Sequence, residues 1–213
     1  MRGARRAEFV RRITEVRVTG VIQAGGRSTR MGGRPKALLE LGGRRIIERV
    51  LDAVAPAVDD VLLVTNTPEL YGDLGVTMVG DVFPDHGSLG GIYSGLKAAS
   101  GDCAFTVACD MPFLHPEVVR LVVGRAGEGD VVLPRVGGQW ETMHAAYAKT
   151  CLPHIEACLA AGRFKIAGFF DRVRVVEIGA DEVARFRAPE IAFMNVNTPE
   201  ELERARALVG TPG

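Results

Sequence analysis

A glycine-rich, basic stretch holds the residue types best suited to chemistry: Gln23-Ala24-Gly25-Gly26-Arg27-Ser28-Thr29-Arg30-Met31-Gly32-Gly33-Arg34-Pro35-Lys36. Gly25 and Gly26 can take backbone angles barred to other residues and let a ligand approach the main chain. Exposed N–H groups in such a loop receive phosphate oxygens, and Arg30 and Lys36 add a planar fork and a compact ammonium. The chemistry implied is a cradle for the phosphates of a nucleotide. The P-loop pattern is excluded, because no glycine pair has its spacing before Lys-Ser or Lys-Thr. The dinucleotide fingerprint fails too, because Gly25 and Gly26 are adjacent and the next glycine is Gly32. The plainer reading is a basic surface turn.

Three further groups carry suitable side chains. Asp110 follows the apolar run Ala104 to Cys109, which puts a carboxylate at the end of a buried strand. Such a carboxylate suits Mg²⁺, which takes one or two carboxylates with phosphate oxygens and waters. The alternative is an Asp-x-Pro turn. Asp81 opens the run Asp81-Val82-Phe83-Pro84-Asp85-His86-Gly87-Ser88-Leu89-Gly90-Gly91, and its carboxylate can accept from a ribose hydroxyl or a base N–H. Asn195 and Asn197 are two apart, so on a strand their amides share a face.

The elements that must position these groups alternate. Short apolar runs predict strands over Val16–Ile22, Val58–Thr65, Gly75–Val79, Cys103–Cys109, Val131–Leu133, Thr142–Ala148 and Val173–Ile178. Helical periods fall over Arg44–Val54, Ile92–Ala99, Pro116–Val123 and Cys151–Ala161. The stretch from Asp81 to Gly91 reads as loop. Thr198, Pro199 and Glu201 give a cap, a first-turn proline and a capping-box partner for a last helix. Strands alternating with helices predict a single-domain, three-layer α/β sandwich with a mostly parallel sheet. The tight turn at Gly137-Gly138 adds an antiparallel element late in the order.

The chain has 213 residues, with 47% hydrophobic and 24% charged residues, which is ordinary for a globular domain. Lys plus Arg and Asp plus Glu are each 26, so net charge gives no reason to expect nucleic acid or membrane as partner. No apolar run reaches the ~18–20 residues of a membrane span. Four cysteines without CxxC or zinc spacing point to reduced core thiols and a cytoplasmic protein. Residues 1–15 are Arg-rich, lack a signal-peptide core and read as a solvated extension, leaving 16–213 as the domain.

The stretch from Ala24 to Lys36, with Arg30-Met31-Gly32 inside it, resembles the N-terminal signature of nucleotidyltransferases that act on the molybdenum cofactor, the guanylyltransferases above all. Three more motifs follow in the family's order: the segment from Asp81 to Ile92, with Ser88 where Pro is usual; Cys109-Asp110-Met111-Pro112-Phe113-Leu114; and Asn195-Val196-Asn197-Thr198-Pro199-Glu200-Glu201-Leu202. The resemblance spans about residues 16 to 209. Weaker matches are Asn66, near the family's nucleotide, and Gly138–Tyr147, where Thr142 and Met143 replace the usual Pro and Leu. His144 there could line a pterin pocket, although a satisfied core histidine is the favoured reading.

The resemblance implies a Rossmann-like nucleotidyltransferase that joins GMP from GTP to the terminal phosphate of molybdopterin and releases pyrophosphate. It places Gln23, Ala24, Gly25, Gly26, Lys36, Asn66, Asp81 and Asp110 at the nucleotide, and Asn195 and Asn197 at the pterin. Arg30, Lys36 and Asp110 are then the catalytic residues, with Asp110 the Mg²⁺ ligand. GTP and molybdopterin are the partners, along with transient contacts to proteins that hand over or receive the cofactor. Gln23 departs from the family's usual Leu, so its side chain could add a hydrogen bond or alter base choice. Two alternatives stand: a cytidylyltransferase on molybdopterin or another small phosphate, and a non-catalytic GTP-binding protein.

Overall fold

The computed structural model describes residues 16–25, 35–186 and 189–210. Residues 1–15, together with Gly26 and Arg30, lie outside the described residues. The strands are β1 Val18–Gln23, β2 Glu40–Leu41, β3 Arg44–Arg45, β4 Asp60–Val64, β5 Thr77–Val79, β6 Cys103–Ala108, β7 Val131–Val136, β8 Gln139–Trp140, β9 His144–Ala148 and β10 Val175–Ile178. The longer helices are α1 Ile46–Val54, α2 Gly87–Ala98, α3 Pro116–Gly124, α4 Leu152–Ala160 and α5 Pro199–Gly210.

The main sheet runs β10-β7-β9-β6-β1-β4-β5, with β8 paired to β7. All pairings on that path are parallel except those of β9, which is antiparallel to both β6 and β7. The late antiparallel element is therefore present, but it is inserted inside the sheet. Gly137 and Gly138 both take positive φ, which gives the tight β7–β8 turn.

Both faces are covered. On one, Ile47, Val50 and Val54 of α1 and Val118, Val119 and Val122 of α3 pack on Ile22, Phe105 and Val107. On the other, Leu89, Ile92 and Leu96 of α2 and Ile155 and Leu159 of α4 pack on Val21, Ala104 and Tyr147. This explains why β1 and β6 read as continuous apolar runs: a strand covered on both sides has no solvent face. A third cluster, Leu41, Ile46, Val196, Leu202 and Ala205, docks α5.

Three local expectations are corrected. Gly87–Gly91 form the start of α2, because Leu89 is wholly buried there and burial outweighs the poor helix propensity of glycine. Glycine also lets α2 lie close on the sheet: a Cβ on Gly95 would sit 2.2 Å from Cγ1 of Val21. Arg44 and Arg45 precede the helix as β3, paired with β2 across Gly42-Gly43, both at positive φ. Residues 193–197 are not a strand; Val196 is buried, Asn195 is exposed and Asn197 half-buried, so the spacing of the two amides does not arise from a pleat.

Candidate active site

The strand order reverses at β1. β4 and β5 lie on one side of it, and β6 returns to the other. In open α/β sheets the crevice outside the carboxyl ends at such a point binds ligands. Gln23 ends β1, and Asp110 lies two residues beyond β6. The Cys109 N–H donates to the Gln23 carbonyl at 3.0 Å, and Ala24 N–H donates to Val64 O at 2.9 Å. The glycine-rich segment therefore leaves a rigid edge, with Ala24 buried and Gly25 exposed.

Residues far apart in sequence meet here. Lys36, in the single turn Lys36–Leu38, donates from Nζ to Asn197 Oδ1 at 2.7 Å across 161 residues. Val196 N–H donates to the Asp110 carbonyl at 2.8 Å. The Glu201 carboxylate accepts from the N–H groups of Asn197 and Thr198 at 2.6 and 3.0 Å, and the Thr198 hydroxyl accepts from Glu201 N–H at 3.2 Å. The capping box expected from the sequence therefore also fixes the segment that carries Asn197 against Asp110 and Lys36.

Asp110 carries a carboxylate oxygen that the fold leaves unsatisfied. Its Oδ1 is buried without a hydrogen-bond partner among the described residues. Burial pushes its carboxyl up, and the Lys36 charge pulls against that shift. An orphaned buried oxygen costs stability unless something supplies the missing partner. One carboxylate with phosphate oxygens is a donor set that fits Mg²⁺. Cys109 beside it is no nucleophile: burial pushes its thiol up to about 12, far from the thiolate form.

On the α2 side, Asn66 Oδ1 accepts from Asp81 N–H at 2.8 Å, so the ends of β4 and β5 are tied together. Asp81 Oδ1 accepts from Phe83 N–H at 3.0 Å and from the Ser94 hydroxyl at 2.7 Å. Among the described residues these bonds fall on Oδ1 and leave Oδ2 for a ligand. Ser94 was not singled out from the sequence. The signal available was a serine on the apolar stretch of a glycine-rich helix, thirteen residues after Asp81.

His144 is buried in the core between the rings of Phe105 and Phe193, with centroids 5.1 Å away on each side. The expectation of a satisfied core histidine is half corrected, since neither ring nitrogen has a partner among the described residues. Burial holds the imidazole neutral, down to about 3 from an ordinary 6.5. The unfolded chain therefore takes up a proton that the folded chain refuses, and stability falls on acidification by roughly 1.4 kcal/mol per pH unit between those values. His144→Phe is expected to remove this loss, widening its stability advantage by about 2 kcal/mol from pH 7 to pH 5 in urea denaturation. Equal pH dependence of the two proteins would contradict it.

Among the described residues, five buried side-chain polar atoms have no partner: Gln23 Nε2, Thr106 Oγ1, Asp110 Oδ1 and both nitrogens of His144. They gather toward one end of β1, β6 and β9, the end that carries Lys36 and Asn197. The fold is that of an open α/β sheet whose strand order reverses at β1, the arrangement in which α/β proteins carry ligands outside the carboxyl ends of the strands. The family model described as MobA-like NTP transferase domain matches residues 20–190, and the chain belongs to this family. It is 39% identical over 193 residues to the molybdenum cofactor guanylyltransferase of Desulfosudis oleivorans, covering 90% of this chain and 96% of the relative. It is 33% identical to the molybdenum cofactor guanylyltransferase of Vibrio cholerae, over 88% and 91% of the two chains. The crystal structure of molybdopterin-guanine dinucleotide biosynthesis protein A from Archaeoglobus fulgidus superposes with a TM-score of 0.76 at 26% identity, covering 89% of this chain and 97% of that one. Among the described residues no helix is long and apolar enough to cross a membrane.

Proposed function

We propose that this protein transfers GMP from GTP to the terminal phosphate of molybdopterin, giving the guanine dinucleotide form of the cofactor and pyrophosphate. The observation that carries the reading is the meeting of Lys36 and Asn197 beside Asp110, whose Oδ1 has no hydrogen-bond partner among the described residues. An oxygen of the acceptor phosphate forms the new bond to the α-phosphorus of GTP. The bond from that phosphorus to the α–β bridging oxygen breaks, and pyrophosphate leaves with the electron pair. The acceptor is already ionised, so no strong general base is needed, and positioning and charge neutralisation carry the rate.

Gly25, Gly26, Arg30 and Lys36 hold the triphosphate and stabilise the departing pyrophosphate. Asp110 holds Mg²⁺, which when bound offsets charge developing on the α-phosphate. Asn66, Asp81 and the backbone at Gln23 and Ala24 place the nucleoside, and Asn195 and Asn197 orient the pterin. The protein works in the cytoplasm, and a labile product favours transient contact with proteins that supply or receive the cofactor.

A second reading, cytidylyl transfer, comes from the resemblance, in which Gln23 stands where the guanylyl family usually has Leu. Calorimetric titration with GTP, CTP, ATP and UTP, each with Mg²⁺, separates the two. Selective GTP binding is expected. Preference for CTP would move the assignment to the cytidylyl branch, and binding of none would remove both. GTP binding without turnover on a pterin acceptor would leave a non-catalytic GTP-binding protein.

A further inference from the structure

We infer that Glu201 is a positioning residue for the transfer: its carboxylate pins the main chain at Asn197, so that the Asn197 amide is held against Lys36. The inference rests on the GMP-transfer reading above and goes beyond it, because it gives a kinetic role to a side chain that a helix cap alone would leave to stability.

A segment without regular structure is ordinarily among the looser parts of a chain. Residues 194–197 belong to neither helix nor strand, yet the N–H groups of residues 196–198 are all held. Val196 donates to the Asp110 carbonyl at 2.8 Å. Asn197 and Thr198 both donate to Oε2 of Glu201, at 2.6 and 3.0 Å. Bonds from N–H groups to a carboxylate are charge-assisted and about twice as strong as neutral ones. With the backbone fixed on both sides, few side-chain rotamers stay open to Asn197. The one adopted sets its Oδ1 2.7 Å from Lys36 Nζ, which donates to it.

One helix reaches both partners of that bond. α5 packs through Leu202 and Ala205 on Leu41 and Ile46. Ile46 N–H donates to the Leu39 carbonyl at 3.0 Å, and Leu39 directly follows the turn Lys36–Leu38. Glu201, next to Leu202, therefore ties Asn197 to the helix that also seats the Lys36 turn. The two halves of the capping box do different work. The Thr198 hydroxyl accepts from Glu201 N–H at 3.2 Å and serves the helix. The Glu201 carboxylate serves the segment before it. Glu201 also lies near Asp110: burial chiefly pushes the Asp110 carboxyl up, and the Glu201 charge adds to that push. Position and charge are thus separate contributions from one side chain, and a neutral isostere divides them.

The test compares Glu201→Ala, Glu201→Gln and Thr198→Ala with the parent in GMP transfer to molybdopterin, GTP binding and melting temperature. Glu201→Ala and Thr198→Ala each remove half of the cap, and each is expected to lower the melting temperature by about 2–4 °C. Only Glu201→Ala frees the Asn197 N–H. Its kcat/KM for the acceptor is expected to fall about 10–100-fold, the scale of a small misplacement near reacting groups, with GTP affinity within about threefold of the parent. Thr198→Ala is expected to keep the parent's kinetics. Glu201→Gln retains an oxygen that can accept both N–H groups and is expected to restore most of the rate. Hydrogen exchange at the Asn197 amide reads the same position without substrate, and is expected to quicken in Glu201→Ala and not in Thr198→Ala. Equal kinetics in those two variants, or a Glu201→Ala chain that fails to fold, would make Glu201 a structural cap and overturn the inference. A Glu201→Gln protein as slow as Glu201→Ala would move the effect to charge and overturn it too. Quickened exchange in Glu201→Ala beside a parent that transfers no GMP would overturn the transfer reading, and the kinetic role with it.

Discussion

Asp110→Asn is expected to lower guanylyl transfer by roughly 10²–10³-fold while the protein keeps its fold. The substitution conserves shape and removes the charge. Asp110 lies two residues beyond β6, with a buried oxygen that has no partner among the described residues and a carboxyl that burial pushes up. Its ionised form is therefore disfavoured in the protein alone, and a neutral amide in its place costs little. The backbone carbonyl that accepts from Val196 remains. The expected pair of results is unchanged or slightly higher thermal stability together with lost turnover. A carboxylate held at a cost to stability is the mark of a group kept for a ligand. Retained turnover, or a collapse of stability with it, would instead make Asp110 an ordinary turn residue.

Lys36→Ala is expected to weaken GTP binding by roughly 10–100-fold, the scale of a charge-assisted contact to phosphate, and to slow transfer further. Part of the loss comes from the ammonium. The rest comes from the bond to Asn197 at 2.7 Å, which ties the start of the chain's site to its C-terminal segment. With Lys36 absent, the capping box through Glu201 and the Val196–Asp110 bond still hold that segment. Melting temperature should therefore move little while the binding constant moves greatly. Isothermal titration and a melt on the same sample separate these. Unchanged GTP affinity would sink the phosphate cradle.

Much of this site was legible because its chemistry sits at strand ends. The apolar runs of β1 and β6 place Gln23 and Asp110, and a carboxylate that terminates a buried run has few structural uses. The cap Thr198-Pro199-Glu201 was readable from residue type alone. What was not legible depends on tertiary partners. No local pattern says that Lys36 meets Asn197, or that Ser94 braces Asp81. Gly87–Gly91 read as loop because glycine is a poor helix former, yet the close approach of α2 to Phe83 and Gln23 requires glycine at 90 and 91. Asn195 and Asn197 suggested a pleat, but the register of residues 193–197 is set by the buried Val196 and its bond to Asp110. His144 could be assigned to the core from its apolar strand, whereas its lack of a partner among the described residues is a property of Phe105 and Phe193 closing around it.

Guanylyl transfer is measured most directly in a single-turnover assay with α-labelled GTP, molybdopterin and Mg²⁺. Label appearing in the pterin product with one pyrophosphate released per transfer, from GTP and not from CTP, is the result expected. Label transferred from CTP alone, or GTP bound and returned unchanged beside an intact acceptor, would contradict it.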